Sequence, residues 1–265
     1  MLKEGYVSSR NGVMVFYRYI KKKLPWLVFL HGATGCMAAF FNQEKYFLEK
    51  GFSLLFIDLR GHGKSDKGKT KEFFDLRNFA EDVKGVLDKL RVSKATIIGH
   101  CFGSFVAQEF VVKYPRMVDK LVLINSSLAP FKSKTRRIII ELFARLLTIA
   151  PLSGKKMHPD YSRQIGRQDI SPTGVLCDLI YSGSKTFLYT YIASASFKSS
   201  INGGFEMPVL LLHGKKDIII PYRDSFELQK VFPNSKVKLL STNHISVFND
   251  PDEVNRYIID FLRQS

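Results

Sequence analysis

Residues 95–114, ATIIGHCFGSFVAQEFVVKY, read as a buried strand (Ala95 to Ile98), a very tight turn, and a helix carrying Phe105, Val106, Phe110 and Val111 toward a core. The turn is Gly99-His100-Cys101-Phe102-Gly103, which fits the nucleophile-elbow pattern G-x-S-x-G except that cysteine stands where serine is usual. A side chain held at the apex of a strand-to-helix turn has strained dihedrals, and its near neighbours are pressed against each other. Only residues with almost no side chain fit beside it, hence Gly99 and Gly103. The turn aims Cys101 out of the sheet, and the amide of Phe102, an unpaired donor at the helix start, points to the same place. Taken alone, the motif also suits an inert buried thiol, since free cysteine is among the commonest buried residues.

Outward from this stretch the pattern repeats. Toward the N-terminus, Val7 to Ser9 and Val13 to Ile20 flank Asn11-Gly12, a strong hairpin signal. Trp26 to Leu30, WLVFL, is a continuous apolar run of the kind covered on both faces in a parallel sheet, and His31-Gly32-Ala33-Thr34-Gly35 follows at once. A helix over Phe40 to Lys50, a strand over Leu54 to Ile57, the glycine- and charge-rich loop Asp58 to Ser65, and a helix over Arg77 to Leu90 lead into the turn. After it come strands at Leu121 to Ile124, Val209 to Leu212 and Val237 to Leu240, and helices near Asp224 to Val231 and Glu253 to Arg263. Strands alternating with helices mean βαβ units and a largely parallel sheet. Between Ser126 and Met207 the alternation stops, and the segment reads as an inserted, mostly helical cap, giving a core of 1–125 and 208–265 around a cap of 126–207.

The 265 residues, 45% hydrophobic and 13% aromatic, suit one large α/β domain with an insertion. No run approaches the ~18 apolar residues of a bilayer span, and MLKEGYVSSRNG has no signal-peptide core. Cys36, Cys101 and Cys177 are odd in number and lack C-x-x-C spacing, so neither a disulfide framework nor a metal site is expected, and a reducing, cytoplasmic setting agrees with them. A net charge of +16 raises nucleic acid or an anionic membrane as partner. The charge is diffuse, Lys21-Lys22-Lys23 reads as a solvated loop, and no zinc-finger, RRM or KH pattern is present, so nucleic acid is not expected.

Within the cap, Thr135 to Ile149 combines Arg136, Arg137 and Arg145 with Ile138, Ile139, Ile140, Leu142, Phe143, Leu146 and Leu147. This amphipathic helix is expected to pack its wide apolar face on the core and roof a pocket. The sharper alternative is an interfacial helix in peripheral contact with lipid. Phe131, Tyr161, Tyr181, Phe187, Tyr189, Tyr191 and Phe197 suit either reading.

A nucleophile needs a base, and the base an orienting group. His244 follows the last strand directly and Asp217 lies past Val209 to Leu212, both at carboxyl ends of parallel strands, where sites of open sheets gather. Nucleophile, acid and histidine thus occur in the order that one fold requires. With HGATG, DLRGHGKSD, GHCFG, HGKKDIIIP and NHISVFNDP in place, the chain resembles an α/β-hydrolase of the lid-bearing esterase and lipase type over nearly all of its length outside the cap. The resemblance implies a mostly parallel sheet flanked by helices, Cys101 as nucleophile, His244 as base, Asp217 as its partner, the amides of Ala33 and Phe102 as oxyanion hole, and no cofactor. Asn125 stands where some relatives place the acid and cannot ionise. His31 and His62 are expected to brace their loops, and His100 to pack at the elbow.

The departure is Cys101. Dienelactone hydrolases and polyhydroxyalkanoate polymerases resemble this chain in using cysteine there; a serine-to-cysteine replacement would leave the same sequence. A thiol at a helix N-terminus beside a histidine is expected to have a lowered pKa. The reaction expected is carboxylic-ester hydrolysis through an acyl thioester, on apolar acyl groups. The alternatives are an acyltransferase or thioesterase acting on coenzyme A thioesters, and a receptor that keeps the fold without turnover.

Overall fold

The computed structural model describes residues 1–9, 11–161, 166 and 168–264, with the side chains of Leu24, Arg136 and Leu147 outside the description. Eight strands, β1 Leu2–Ser8, β2 Met14–Ile20, β3 Lys23–Leu30, β4 Phe52–Ile57, β5 Ala95–His100, β6 Val118–Ile124, β7 Val209–Gly214 and β8 Ser235–Leu240, form one sheet. Its order is β1-β2-β4-β3-β5-β6-β7-β8. The first two strands pair antiparallel, β2 meets β4 antiparallel, and every later pairing is parallel.

Six strand starts differ from the sequence reading, those of β1, β3 and β6 by three residues or more. The first strand begins at Leu2, not Val7, because LKEGY is an exposed edge whose polar residues are tolerated where one side of a strand faces water. The third begins at Lys23, ahead of the apolar run, with its pairing irregular between Lys23 and Trp26, where Pro25 lacks an amide to donate.

Helices α1 Phe41–Glu49, α2 Leu76–Lys89, α3 Phe102–Lys113, α7 Asp224–Val231, α8 Ser246–Asn249 and α9 Pro251–Leu262 flank the sheet. Alternation along β3 assigns the faces: Val28 and Leu30 pack with Phe79 and Val83 of α2 and Phe105 and Phe110 of α3. Leu27 and Phe29 pack on the other side with Phe47 of α1 and Ile258 and Phe261 of α9. Both faces of the central strands are therefore dry, which explains runs such as WLVFL without polar alternation.

Between β6 and β7 lie α4 Lys134–Leu147, α5 Pro172–Ser182 and α6 Ser184–Ser196, with no strand among the described residues. Ser171 caps α5 by accepting from the Gly174 amide at 3.1 Å, and Gly183, at φ 83°, breaks α5 from α6. Polar contacts tie the segment to the loop after β4: the Thr186 hydroxyl donates to the Gly61 carbonyl at 2.9 Å, and Lys156 pairs with Asp66 at 2.8 Å.

The packing expected of α4 is not observed. Ala144 is its buried residue, set against Leu179, Phe187, Leu188 and Ile192, and the side turned inward runs through Arg137, Ile140, Glu141 and Ala144. Ile138, Ile139, Leu142, Phe143 and Leu146 face outward, between 47% and 65% exposed. A small alanine lets α4 approach α6 closely, and that contact turns the wide apolar stripe toward solvent.

Candidate active site

Cys101 adopts φ 49° and ψ −116° between the end of β5 and the start of α3, a positive φ that costs a non-glycine residue about 1 kcal/mol or more. The surroundings enforce it. The Cys101 amide donates to the Ile124 carbonyl at 2.9 Å, while a Cβ on Gly99 would lie 2.5 Å from the Gly103 carbonyl oxygen and one on Gly103 2.1 Å from that of Leu30. The turn therefore closes only with glycine at both places, and the thiol, part-exposed, projects beyond the sheet.

The loop after β8 brings His244 beside this thiol on the wall of one cavity, where the sulfur's charge acts on the ring. Its Nδ1 donates to Asp217 Oδ2 at 2.7 Å. Burial opposes charge on His244, but the Cys101 sulfur and the Asp217 carboxylate outweigh it and hold the imidazolium well above the usual histidine range. Asp217 is likewise opposed by burial; His244, His213 and the Ile220 amide nevertheless hold its carboxyl well below the ordinary range. Its Oδ1 accepts from the amides of Ile219 and Ile220 at 2.9 and 2.8 Å, fixing the carboxylate on the loop after β7.

Asn125 completes the shell. At the end of β6, it donates through Nδ2 to Asp217 Oδ2 at 2.8 Å and accepts from the Ser246 hydroxyl at 2.7 Å. His100 Nε2 lies 2.9 Å from the His244 carbonyl, bracing the histidine loop, and burial, helped by the charge on His244, pushes its own pKa down to about 3. His31 accepts from the Leu59 amide at 3.0 Å and is pushed by burial to about 4, while His62 Nδ1 lies 2.8 Å from the Arg60 carbonyl. Both serve their loops.

Two contributors were not singled out in the sequence. His213, at the end of β7, lies 3.2 Å from Asp217 Oδ2 and 2.7 Å from the Ser225 hydroxyl; its place four residues before Asp217 in HGKKD was the available signal. Asp169, from the segment between α4 and α5, accepts from the backbone amides of His244 at 2.8 Å and Ile218 at 3.1 Å. Nothing in the local sequence marked it, because the contact is with backbone 75 residues away.

The amides of Ala33 and Phe102 have no hydrogen-bond partner among the described residues. Ala33 belongs to the loop after β3 and lines a cavity of about 130 Å³ together with Cys101 and His244. Phe105, Ile219 and Phe248 supply core-side apolar wall, and Phe131, Tyr161 and Tyr191 close it from the segment between β6 and β7. The remaining aromatics of that segment pack elsewhere: Phe187 stacks on Tyr191 at 4.6 Å, Tyr189 meets Phe74 at 5.7 Å, Phe197 stacks on Phe105 at 4.4 Å, and Tyr181 lies beneath Lys155. A larger groove of about 620 Å³ over α2 and α6 contains neither Cys101 nor His244.

Residues 25–156 match the family model described as alpha/beta hydrolase fold. The AB hydrolase superfamily protein YisY of Bacillus subtilis is 24% identical, over 97% of this chain and 98% of that protein. The bifunctional esterase/perhydrolase DCH of Acinetobacter calcoaceticus is 27% identical over 98% and 99%. Among solved structures, the esterase EaEST from Exiguobacterium antarcticum superposes with a TM-score of 0.81 at 17% identity, covering 98% of this chain and 99% of its own, a likeness of fold.

Proposed function

The chain belongs to the α/β-hydrolase superfamily, and from that premise we propose that it is a carboxylic-ester hydrolase working through a covalent acyl-enzyme on Cys101, His244 and Asp217. The observation that carries this reading is that Cys101 and His244, the latter bonded to Asp217 at 2.7 Å, share one cavity wall beside the unpartnered Ala33 amide. Esterase relatives of near-equal length support it. The apolar and aromatic wall favours apolar acyl groups. The segment 126–207 serves as the cap that supplies one side of this wall.

In the reaction the Cys101 sulfur attacks the ester carbonyl carbon, and the carbonyl oxygen, now an oxyanion, accepts from the amides of Ala33 and Phe102. Each donor is worth roughly 3 kcal/mol in comparable sites. The carbon–oxygen bond to the alcohol breaks as the His244 imidazolium protonates the leaving oxygen, leaving an acyl thioester. Neutral His244 then takes a proton from water, the resulting hydroxide adds to the thioester, and the thiolate departs. Asp217 holds the ring in the tautomer that both steps need.

The test is a panel of short and medium p-nitrophenyl esters, thioesters and lactones, with iodoacetamide as active-site probe. We expect ester turnover that vanishes in step with alkylation of Cys101, ahead of Cys36 and Cys177, and no acyl adduct on Cys101→Ala. Turnover that survives in Cys101→Ala overturns the assignment. Faster product formation with an added acceptor alcohol or thiol than with water assigns the same site to acyl transfer. A Cys101→Ser protein faster than the parent marks a site built for serine.

A further inference from the structure

Outside the catalytic line, the described residues bring together one other group of thiol, carboxylate and imidazole: Cys36, Asp58 and His158, whose ligand atoms all lie within 4.8 Å of one another. They come from three separate places, the loop after β3, the end of β4, and the segment between α4 and α5, at sequence spacings that match no metal motif. Cys36 and Asp58 are buried, at 2% and 0% exposure, and the His158 side chain is 16% exposed.

The orientation is set by a second layer of contacts. Asp58 Oδ1 accepts from the Met37 amide at 2.8 Å, and Oδ2 accepts from the Lys64 amide at 2.8 Å and from His158 Nε2 at 2.7 Å. The Tyr161 side chain is buried in the same cluster as Cys36. Two backbone amides thus aim the carboxylate. One sulfur, one nitrogen and one oxygen donor suit zinc and not magnesium or calcium, which take oxygen sets. Tetrahedral zinc, with bonds of about 2.0 to 2.3 Å, spaces its donors roughly 3.2 to 3.8 Å apart. The His158 to Asp58 contact therefore has to open by about half an ångström, with the sulfur drawn in to match.

We propose that Cys36, Asp58 and His158 form a zinc site that clips the cap segment to the loop carrying Ala33. Binding breaks the Cys36 S–H bond, releases that proton to solvent and forms a sulfur–zinc bond. His158 gives up the Nε2 proton it shares with Asp58, by shifting to the tautomer with its ring proton on Nδ1, and coordinates through Nε2, while Asp58 enters as the carboxylate it already is. Thiolate and carboxylate balance the two charges of the ion, so the buried site gains no net charge, and no oxidation is involved. Cys36 lies three residues after Ala33, and Tyr161 lines the catalytic cavity, so the ion would fix both the floor loop and the roof of that cavity. The proposal stands whether or not Cys101 is the nucleophile.

The experiment uses Cys101→Ala protein throughout, so that the second, part-exposed thiol beside His244 contributes no cobalt–thiolate band. Metal-free protein is titrated with Co²⁺ and with Zn²⁺, and thiolate-to-cobalt charge-transfer absorption, stoichiometry and Tm are recorded. We expect one ion per chain, a charge-transfer band, and a Tm that rises with added Zn²⁺. Adding Cys36→Ser should abolish the band, and adding His158→Gln should weaken affinity about 10- to 100-fold. Far-UV circular dichroism and the metal-free Tm confirm that both variants fold. The proposal is overturned by absence of stoichiometric binding, or by a band and affinity unchanged in folded Cys36→Ser or His158→Gln protein.

Discussion

At the scale of single residues, His244 and Asp217 of the proposed catalytic line are each shifted by neighbours that can be removed. His244 is held charged against its own burial by Cys101 and Asp217. Replacing Cys101 with alanine removes the sulfur and leaves burial less opposed, so the ring titration followed by NMR should move to lower pH than in the parent. An unchanged titration would show that the sulfur does not face the ring. Asp217, held below the ordinary range, contributes stability that is present above its unfolded value of about 3.8 and is lost as pH falls through the lower folded value. The stability gap between the parent and Asp217→Asn, measured by urea unfolding, should accordingly shrink as pH is taken from 6 toward 2. The same asparagine should lower kcat for ester cleavage about 10³-fold or more, since it no longer fixes the tautomer of His244. Asn125 already donates to the same oxygen, so an amide at 217 would also set two amides against each other.

At the scale of elements, glycine positions give predictions of opposite sign. A methyl on Gly103 would stand 2.1 Å from the Leu30 carbonyl oxygen, backbone against backbone, so Gly103→Ala should destabilise by about 3 kcal/mol and displace the elbow. Gly85, inside α2 with open space where a methyl would go, should gain about 0.5 to 1 kcal/mol on the same change. Urea midpoints decide both, and a neutral Gly103→Ala would contradict the tightness assigned to the turn. The same contrast explains what could be read from the sequence. Gly99 and Gly103 are legible because a local backbone requirement leaves one residue type, and the strands Trp26 to Leu30 and Val209 to Leu212 because burial on both faces writes a continuous apolar run. His244 and Asp217 were placed by the order of elements, each at a strand end. What was not legible depends on contacts remote in sequence: Asp169 on the His244 amide, His213 on Asp217, and the inward side of α4. Amphipathic periodicity locates a stripe along α4 but cannot say which neighbour it meets, and Ala144 settled that against the apolar side.

At the scale of the whole molecule, α4 and the net charge of +16 act together. No helix among the described residues is long and apolar enough to cross a membrane. Exposed Ile138, Ile139, Leu142, Phe143 and Leu146 nevertheless present a stripe followed in sequence by exposed Ile149 and Leu152 and flanked in sequence by exposed Lys132, which pairs with Asp224 at 3.6 Å, Lys134 and Lys155, with no acidic residue in the first turn of α4. An apolar face with cations at its margin matches an anionic lipid surface, and we propose that surface as its occupant. The protein should sediment with phosphatidylserine-containing vesicles and much less with phosphatidylcholine vesicles, and salt should weaken the binding because the Debye length shortens. Replacing Leu142, Phe143 and Leu146 together with serine should reduce vesicle binding at least 10-fold, since burial of each is worth about 1.5 to 3 kcal/mol. Hydrolysis of a soluble p-nitrophenyl ester should be unaffected, because none of the three lines the cavity at Cys101. Vesicle binding unchanged in the triple variant, or a concentration-dependent dimer that the variant abolishes while the parent ignores anionic vesicles, would assign the stripe to another use. An esterase seated this way would hold α4 in the lipid surface while α6, packed on Ala144, carries Tyr191 to the cavity wall, placing that cavity within reach of apolar esters that partition into the same surface.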